Sequence, residues 1–213
     1  MKTKIIMIRH GFSVSNKLQF FTGNLDIELS DIGKEQAKLC GKYFKKEKID
    51  AIYSSDLIRA YDTAVPISEA TGLEIIKEKE LREIRAGDWE GVPFNELEEK
   101  YPYEYGLWRR DIGKAICPNG ESVKDFSRRI INIVTKLAEE NTGKTICITT
   151  HATPIRVMCT YSQGIPIDEM AKVQWIRNAS MNVFDFEDGI FTPVILDYVD
   201  HLENLHTALP DNV

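Results

Sequence analysis

Three short apolar runs, within residues 3–8 (TKIIMI), 50–55 (DAIYSS) and 144–149 (KTICIT), each end in polar residues, and amphipathic segments follow them. Apolar runs of this length, bounded by polar residues, read as buried strands. Strands that alternate with amphipathic helices close into a mainly parallel sheet covered on both faces. The alternation therefore predicts an α/β fold, a three-layer α/β/α sandwich with a mainly parallel central sheet.

The segments between the runs fill in this plan. Ser30 is placed to cap a helix that carries Ile32, Gln36, Ala37, Cys40 and Phe44 near one face. Ser55 and Asp56 offer caps for a helix over 56–71, and Gly72 ends it. Residues 73–81 read as mostly extended. From 88 to 120 the pattern weakens: Trp89, Phe94, Tyr101, Tyr103, Tyr105 and Trp108 are mixed with acids, glycines and prolines. This predicts a small cap insertion with one short helix near 93–100. The aromatics either pack that cap or line the mouth of a site. Helical period returns over 121–140 and near 153–163, and two late strands lie within 180–188 and 192–200. Residues 204–213 read as a tail. With no internal repeat or linker, the expectation is a single domain over 1–213.

The net charge of −6 and the absence of a basic run argue against a nucleic-acid partner. No apolar run approaches a membrane span, and residues 5–8 are too short for the core of a secretory leader. The 4 cysteines show no metal-binding spacing, and Cys40, Cys147 and Cys159 sit in apolar patterns. A reduced, cytoplasmic setting is expected. His201 and His206 are not spaced as helical metal ligands.

Functional groups in an open α/β sheet gather beyond the carboxyl ends of the strands. The first run leads into Arg9, His10 and Gly11, the second into a helix with Arg59 in its first turn, and the third into Thr150, His151 and Ala152. Glu83 follows the third extended stretch. Two arginines, two histidines and one carboxyl group suit a phosphoryl group: forked guanidinium donors neutralise its oxygens. A neutral imidazole attacks phosphorus through its lone pair. Arg9 and Arg59 would keep that imidazole neutral. A carboxylic acid then protonates the departing alkoxide and later takes a proton from water. Glu80, Asp88 and Glu90 compete with Glu83 for this role, while Arg82 and Arg85 read as surface or ion-pair residues.

These residues lie in six ordered segments: RHGFSVSN, FTGNLDIELSDIGKEQA, IYSSDLIRAYDTA, LREIRAGDWEG, NGESVKDFSRRI and ITTHATPIRV. Together they resemble the motifs of the histidine phosphatase superfamily, which includes the cofactor-dependent phosphoglycerate mutases and many phosphatases. The resemblance implies a phosphoglycerate mutase-like fold with His10 as nucleophile and Glu83 as proton donor and acceptor. It implies that Arg9, Arg59 and His151 line the phosphate pocket with Asn16 as a neutral donor. Thr22, Gly23 and the main chain of Ala152 would lie near the substrate. It implies no metal, and a monomer or homodimer.

Three positions depart from the family pattern: Phe12 stands where an acid is common, Ser15 where a tryptophan often sits, and Ala152 where glycine is usual. The short 91–120 segment is more like the phosphatase branch. The expected function is therefore phosphomonoester hydrolysis of a small phosphorylated substrate, with no cofactor. The alternative is a phosphoglycerate mutase needing a bisphosphoglycerate primer, with Arg109 and Arg110 holding an acidic substrate group. A third reading, a non-catalytic phospholigand-binding module, rests on the three departures.

Overall fold

The computed structural model describes residues 1–209. The chain begins with β1 (Thr3–Arg9), then α1 (Val14–Leu18), α2 (Asp31–Phe44), β2 (Ala51–Ser54), α3 (Ile58–Thr71) and the short β3 (Ile75–Lys77). Two helices, α4 (Phe94–Lys100) and α5 (Pro102–Asp111), occupy the middle of the chain. Then come α6 (Val123–Glu140), β4 (Thr145–Thr150), α7 (Ala152–Ser162), β5 (Met181–Glu187) and β6 (Ile190–Tyr198). The strands form a 6-stranded sheet in the order β3-β2-β4-β1-β5-β6. The first four in that order run parallel, while β5 and β6 add an antiparallel edge.

Strand alternation builds the three layers. On β1, Ile5 and Met7 pack with Phe126 and Ile130 of α6 and Ile155 of α7. Ile6 and Ile8 point the other way, into Cys40 and Phe44 of α2 and Ala64 and Ile67 of α3. Successive side chains of a strand leave opposite faces, so this one run of apolar residues feeds two cores.

Several boundaries differ from the sequence-based expectation, each for a tertiary reason. Ile32 is 47% exposed, and the buried stripe of α2 starts instead at Gly33. Helix α3 begins at Ile58, with neither Ser55 nor Asp56 as its N-cap residue. Its first free N–H, that of Ile58, is satisfied by Asp26 Oδ1 at 2.6 Å, from a distant loop. The 73–81 stretch holds only three strand residues before a 3₁₀ turn at Lys79–Leu81. Helix α5 escapes detection because only Tyr105 and Trp108, one turn apart, are buried on it. The segment read as a tail returns to the body: Gln36 donates to the Leu205 carbonyl at 2.8 Å. Of that segment, residues 210–213 lie outside the described residues.

One close approach fixes the loop after β1. A Cβ on Gly33 would sit 2.2 Å from the Phe12 carbonyl oxygen, and one on Gly11 would sit 2.5 Å from the Gly33 carbonyl oxygen. Both neighbours are backbone, so neither can give way cheaply. Gly33→Ala is expected to cost about 3 kcal/mol in overpacking against about 1 kcal/mol gained in helix propensity. Urea unfolding should show a net loss near 2 kcal/mol; an unshifted midpoint would show that the loop does not need this contact.

Candidate active site

Because β1, β2 and β4 are parallel neighbours, their carboxyl ends open on one edge of the sheet. His10 follows β1, and its N–H donates to the Thr150 carbonyl at 2.8 Å; the Ser55 N–H, after β2, donates to Thr149 at 2.9 Å. His151 is the N-cap residue of α7, in an extended conformation. The rings of His10 and His151 meet edge to face with centroids 5.3 Å apart. His10 Nδ1 lies 2.7 Å from the Gly11 carbonyl oxygen. A carbonyl only accepts, so Nδ1 carries the proton and Nε2 keeps its lone pair.

Burial, and then the charges of Arg59 and Arg9, hold His10 well below the ordinary histidine value. Burial and Arg59 act on His151 in the same way, and its Nε2 is 2.8 Å from Ser55 Oγ. Both rings are therefore neutral in the fold, while the unfolded chain protonates them below about pH 6.5. Stability held above that value is lost as pH falls. The effect of His10 can be isolated by difference: as pH drops from 7 to 5, His10→Ala should gain on the parent by up to about 1.4 kcal/mol per pH unit below 6.5. Denaturant melts at the two pH values test this, and a pH-independent difference would refute it.

Arg9 and Arg59 are almost fully buried. Burial lowers each to about 10, so both stay charged at neutral pH. Arg59 reaches from the first turn of α3 to the carbonyls of Leu25 and Gly23, both at 2.8 Å. Arg9 donates through Nη1 to the Ile176 carbonyl. Arg9 Nε, Arg59 Nε and His151 Nδ1 are buried with no hydrogen-bond partner among the described residues. An unmet buried polar group costs about 1–3 kcal/mol. Two of the three, on Arg9 and Arg59, belong to residues that line one cavity, which suits an anion there.

Glu83 is half-buried, and burial raises its carboxyl above the usual range, against the lowering effect of two backbone N–H donors. Its Oε1 accepts from Ile84 at 2.8 Å and its Oε2 from Thr153, in the first turn of α7, at 3.2 Å. The loop around it is clamped twice. Arg82 pairs with Asp56 through two bonds of 2.6 and 2.7 Å. Arg129 bonds Glu121 at 2.9 Å and the Glu80 carbonyl at 2.7 Å, and Glu121 also accepts from the Arg85 N–H at 2.7 Å. This gives the G-E-S segment a physical role: Glu121 holds the Glu83 loop, and Ser122 caps α6.

Of the four competing carboxylates, Glu83 is the one that lines the cavity. Glu80 is exposed, Asp88 accepts from Asn119 on the surface, and Glu90 ties the Asn24 and Ala86 N–H groups together, each at 3.0 Å.

The cavity has a volume of about 450 Å³ and is lined by Arg9, His10, Asn16, Thr22, Gly23, Arg59, Glu83 and Ala152 among others. Every expected site residue except His151 touches it, and His151 stands fully buried beside His10. The Asn16 oxygen accepts from Ser13 and from Asn178, so only its amide NH₂ can serve a ligand. Ala152 is not among the residues with positive φ, so its backbone conformation does not call for glycine. Phe12 lines the cavity, whereas Ser15 is buried and bonded to Ser13 and Thr22.

Arg109 and Arg110 do not line the cavity. They are exposed beside Glu98 and Asp111 and line a separate hollow. The structure thereby removes the feature that favoured a mutase.

Sequence reading missed Asn178, which donates to the His10 carbonyl and to Asn16, both at 3.1 Å. It also missed Ser55 as the partner of His151. Neither stands out by spacing. The aromatics do both things considered for them: Trp89 and Tyr105 pack the middle helices, and Phe94 and Trp108 line the cavity. Among the described residues, no cluster of three or more His, Cys, Asp or Glu is placed to hold a metal ion. No helix there is long and apolar enough to cross a membrane.

Known proteins resemble this chain in sequence and fold. The model of the histidine phosphatase superfamily (branch 1) matches residues 5–198. Phosphoserine phosphatase 1 of Hydrogenobacter thermophilus is 34% identical over 93% of this chain and 94% of its own. Phosphoglycerate mutase-like protein 4 of Arabidopsis thaliana is 33% identical over 94% of this chain and 87% of its own. The native structure of mycobacterial glucosyl-3-phosphoglycerate phosphatase superposes with a TM-score of 0.85 at 27% identity, covering 93% of this chain and 100% of that one. Since the match runs from the first strand of the sheet to the last, the chain belongs to the histidine phosphatase superfamily.

Proposed function

We propose that the protein is a phosphomonoesterase that hydrolyses a small phosphorylated metabolite through a phosphohistidine on His10. The observation that carries this is the bond between His10 Nδ1 and the Gly11 carbonyl, which leaves the Nε2 lone pair available at a cavity holding two charged guanidinium groups and one carboxyl group. In the first step Nε2 forms a bond to phosphorus while the ester P–O bond breaks. Glu83, whose carboxyl burial raises above the usual range, gives its proton to the departing oxygen. Arg9 and Arg59 neutralise the charge on the equatorial oxygens. In the second step water attacks phosphorus, its proton passes to Glu83, and the N–P bond breaks to release phosphate and restore neutral His10.

The names of the relatives fit this reading, since two of them are phosphatases of small phosphorylated molecules. The chemistry asks for no metal or cofactor, because the two arginines supply the positive charge. Four buried free cysteines suit a reducing, cytoplasmic setting. Phosphate release from p-nitrophenyl phosphate, compared between the parent and His10→Ala, tests the proposal; full activity in the variant overturns it.

A further inference from the structure

The cavity has two kinds of wall. Its His10 end carries Arg9, Arg59, Glu83 and the side-chain amides of Asn16 and Asn178. Much of the rest of its lining is aromatic, with Gln19, Thr22, Thr153 and Thr207 as polar members. Phe12, Phe20, Phe94 and Trp175 are half-buried and line it, so ring surface remains open to a ligand. Behind them Phe21 and Trp108 are more than nine-tenths buried and act as braces. Phe21 meets Phe94 edge to face at 6.0 Å and Trp108 at 5.1 Å, and Trp108 lies 6.4 Å from Trp175. Ala208 and Leu209 add further apolar surface.

The cavity's cationic side chains are few. Among the described residues lining the cavity, Arg9 and Arg59 are the only arginines, and there is no lysine. Both arginines belong to the phosphate end. A second anionic group on a substrate would meet rings and neutral polar groups such as Gln19, Thr22 and Thr207, with no further cation to offset its desolvation. The three arginines of the neighbouring hollow do not change this. Trp108 and Trp175 line both spaces, while Arg109, Arg110 and Arg156 line only the second. Arg156 is committed to the carbonyls of Val173 and Met170 and lies 4.2 Å over the Trp175 ring. The tryptophans thus stand between the cavity and those cations.

Resting on the phosphatase reading above, we propose that the alcohol this enzyme releases is neutral and carries a flat apolar ring. The substrate class is a phosphomonoester whose aromatic group stacks on Phe12, Phe94 and Trp175, rather than a phosphorylated acid. A volume of about 450 Å³ is within the range of small-molecule sites and holds a phosphate with a ring system attached.

The test compares alkyl esters, so that leaving-group chemistry is held nearly constant: 2-phenylethyl phosphate, propyl phosphate and phosphoserine. In the parent, kcat/KM for the phenylethyl ester should exceed that for phosphoserine by about tenfold or more, the order expected for ring stacking added to apolar burial. Phe94→Ala should shrink that ratio by about fivefold, and Phe94→Arg should reverse its direction. Phe12→Ala supplies a second variant should those at position 94 fail to fold. Binding of 2-phenylethylphosphonate, which cannot turn over, should be about tenfold tighter than that of propylphosphonate by calorimetry. If phosphoserine is the better substrate, or the two phosphonates bind equally, the aromatic assignment is overturned while phosphatase activity stands. If no ester is hydrolysed, the phosphatase reading fails and takes this assignment with it.

Discussion

His10→Ala lowers kcat for any phosphate ester by roughly 10⁴- to 10⁶-fold, the scale seen when the nucleophile of a covalent mechanism is removed. The loss reflects chemistry rather than folding. His10 makes one side-chain hydrogen bond, to the carbonyl of the next residue, and faces a cavity rather than the core. Removing it also deletes a ring that the fold holds neutral against its ordinary tendency to charge. The variant should therefore be at least as stable as the parent at mildly acidic pH, and stability and activity would move in opposite directions. The parent, quenched without acid during turnover, should show added phosphate mass on His10 and on no other residue. Substantial turnover by the variant, or an adduct elsewhere, would end the covalent mechanism proposed here.

Glu83→Gln should divide substrates by their leaving groups. An alkoxide needs a proton as it departs, so kcat for an alkyl ester such as 2-phenylethyl phosphate should fall by about 10²- to 10⁴-fold. A p-nitrophenolate leaves without one, so the first step on p-nitrophenyl phosphate should remain fast. The second step still lacks its base. The variant should therefore release one equivalent of p-nitrophenol in a burst and accumulate phosphohistidine. In the parent, alkyl-ester turnover should decline as pH rises through the raised Glu83 value, because only the protonated carboxyl can act as the acid. Glu83→Gln should flatten that limb. An equal loss on both esters with no burst would transfer the proton role to another group.

The loop around Glu83 shows why the two histidines and the two arginines were easier to find than the acid. His10, Arg59 and His151 each lie within a few residues of the end of an apolar run, so local pattern marks them. Glu83 lies among Glu80, Asp88 and Glu90, with nothing local to separate them. What separates them is contact over long distances in the chain: Thr153 donates to Glu83 from 70 residues away. Arg129 reaches the Glu80 carbonyl from 49 residues away. The same holds for Asn178, which finds His10 and Asn16 across more than 160 residues. Helix α5 was hidden for a related reason. Its two buried positions make sense only when Trp89 and Phe21 are present to receive Tyr105 and Trp108.

Sequence alone determined the alternation of strands and helices, the two-faced core and the reactive residues at strand ends. All of these follow from side-chain periodicity and from chemistry within a few residues. Tertiary structure decided which carboxylate faces the cavity, that Arg109 and Arg110 line a separate hollow, and that rings make up much of the cavity lining. Those outcomes depend on which side chains are brought together from opposite ends of the chain, and periodicity carries no information about that.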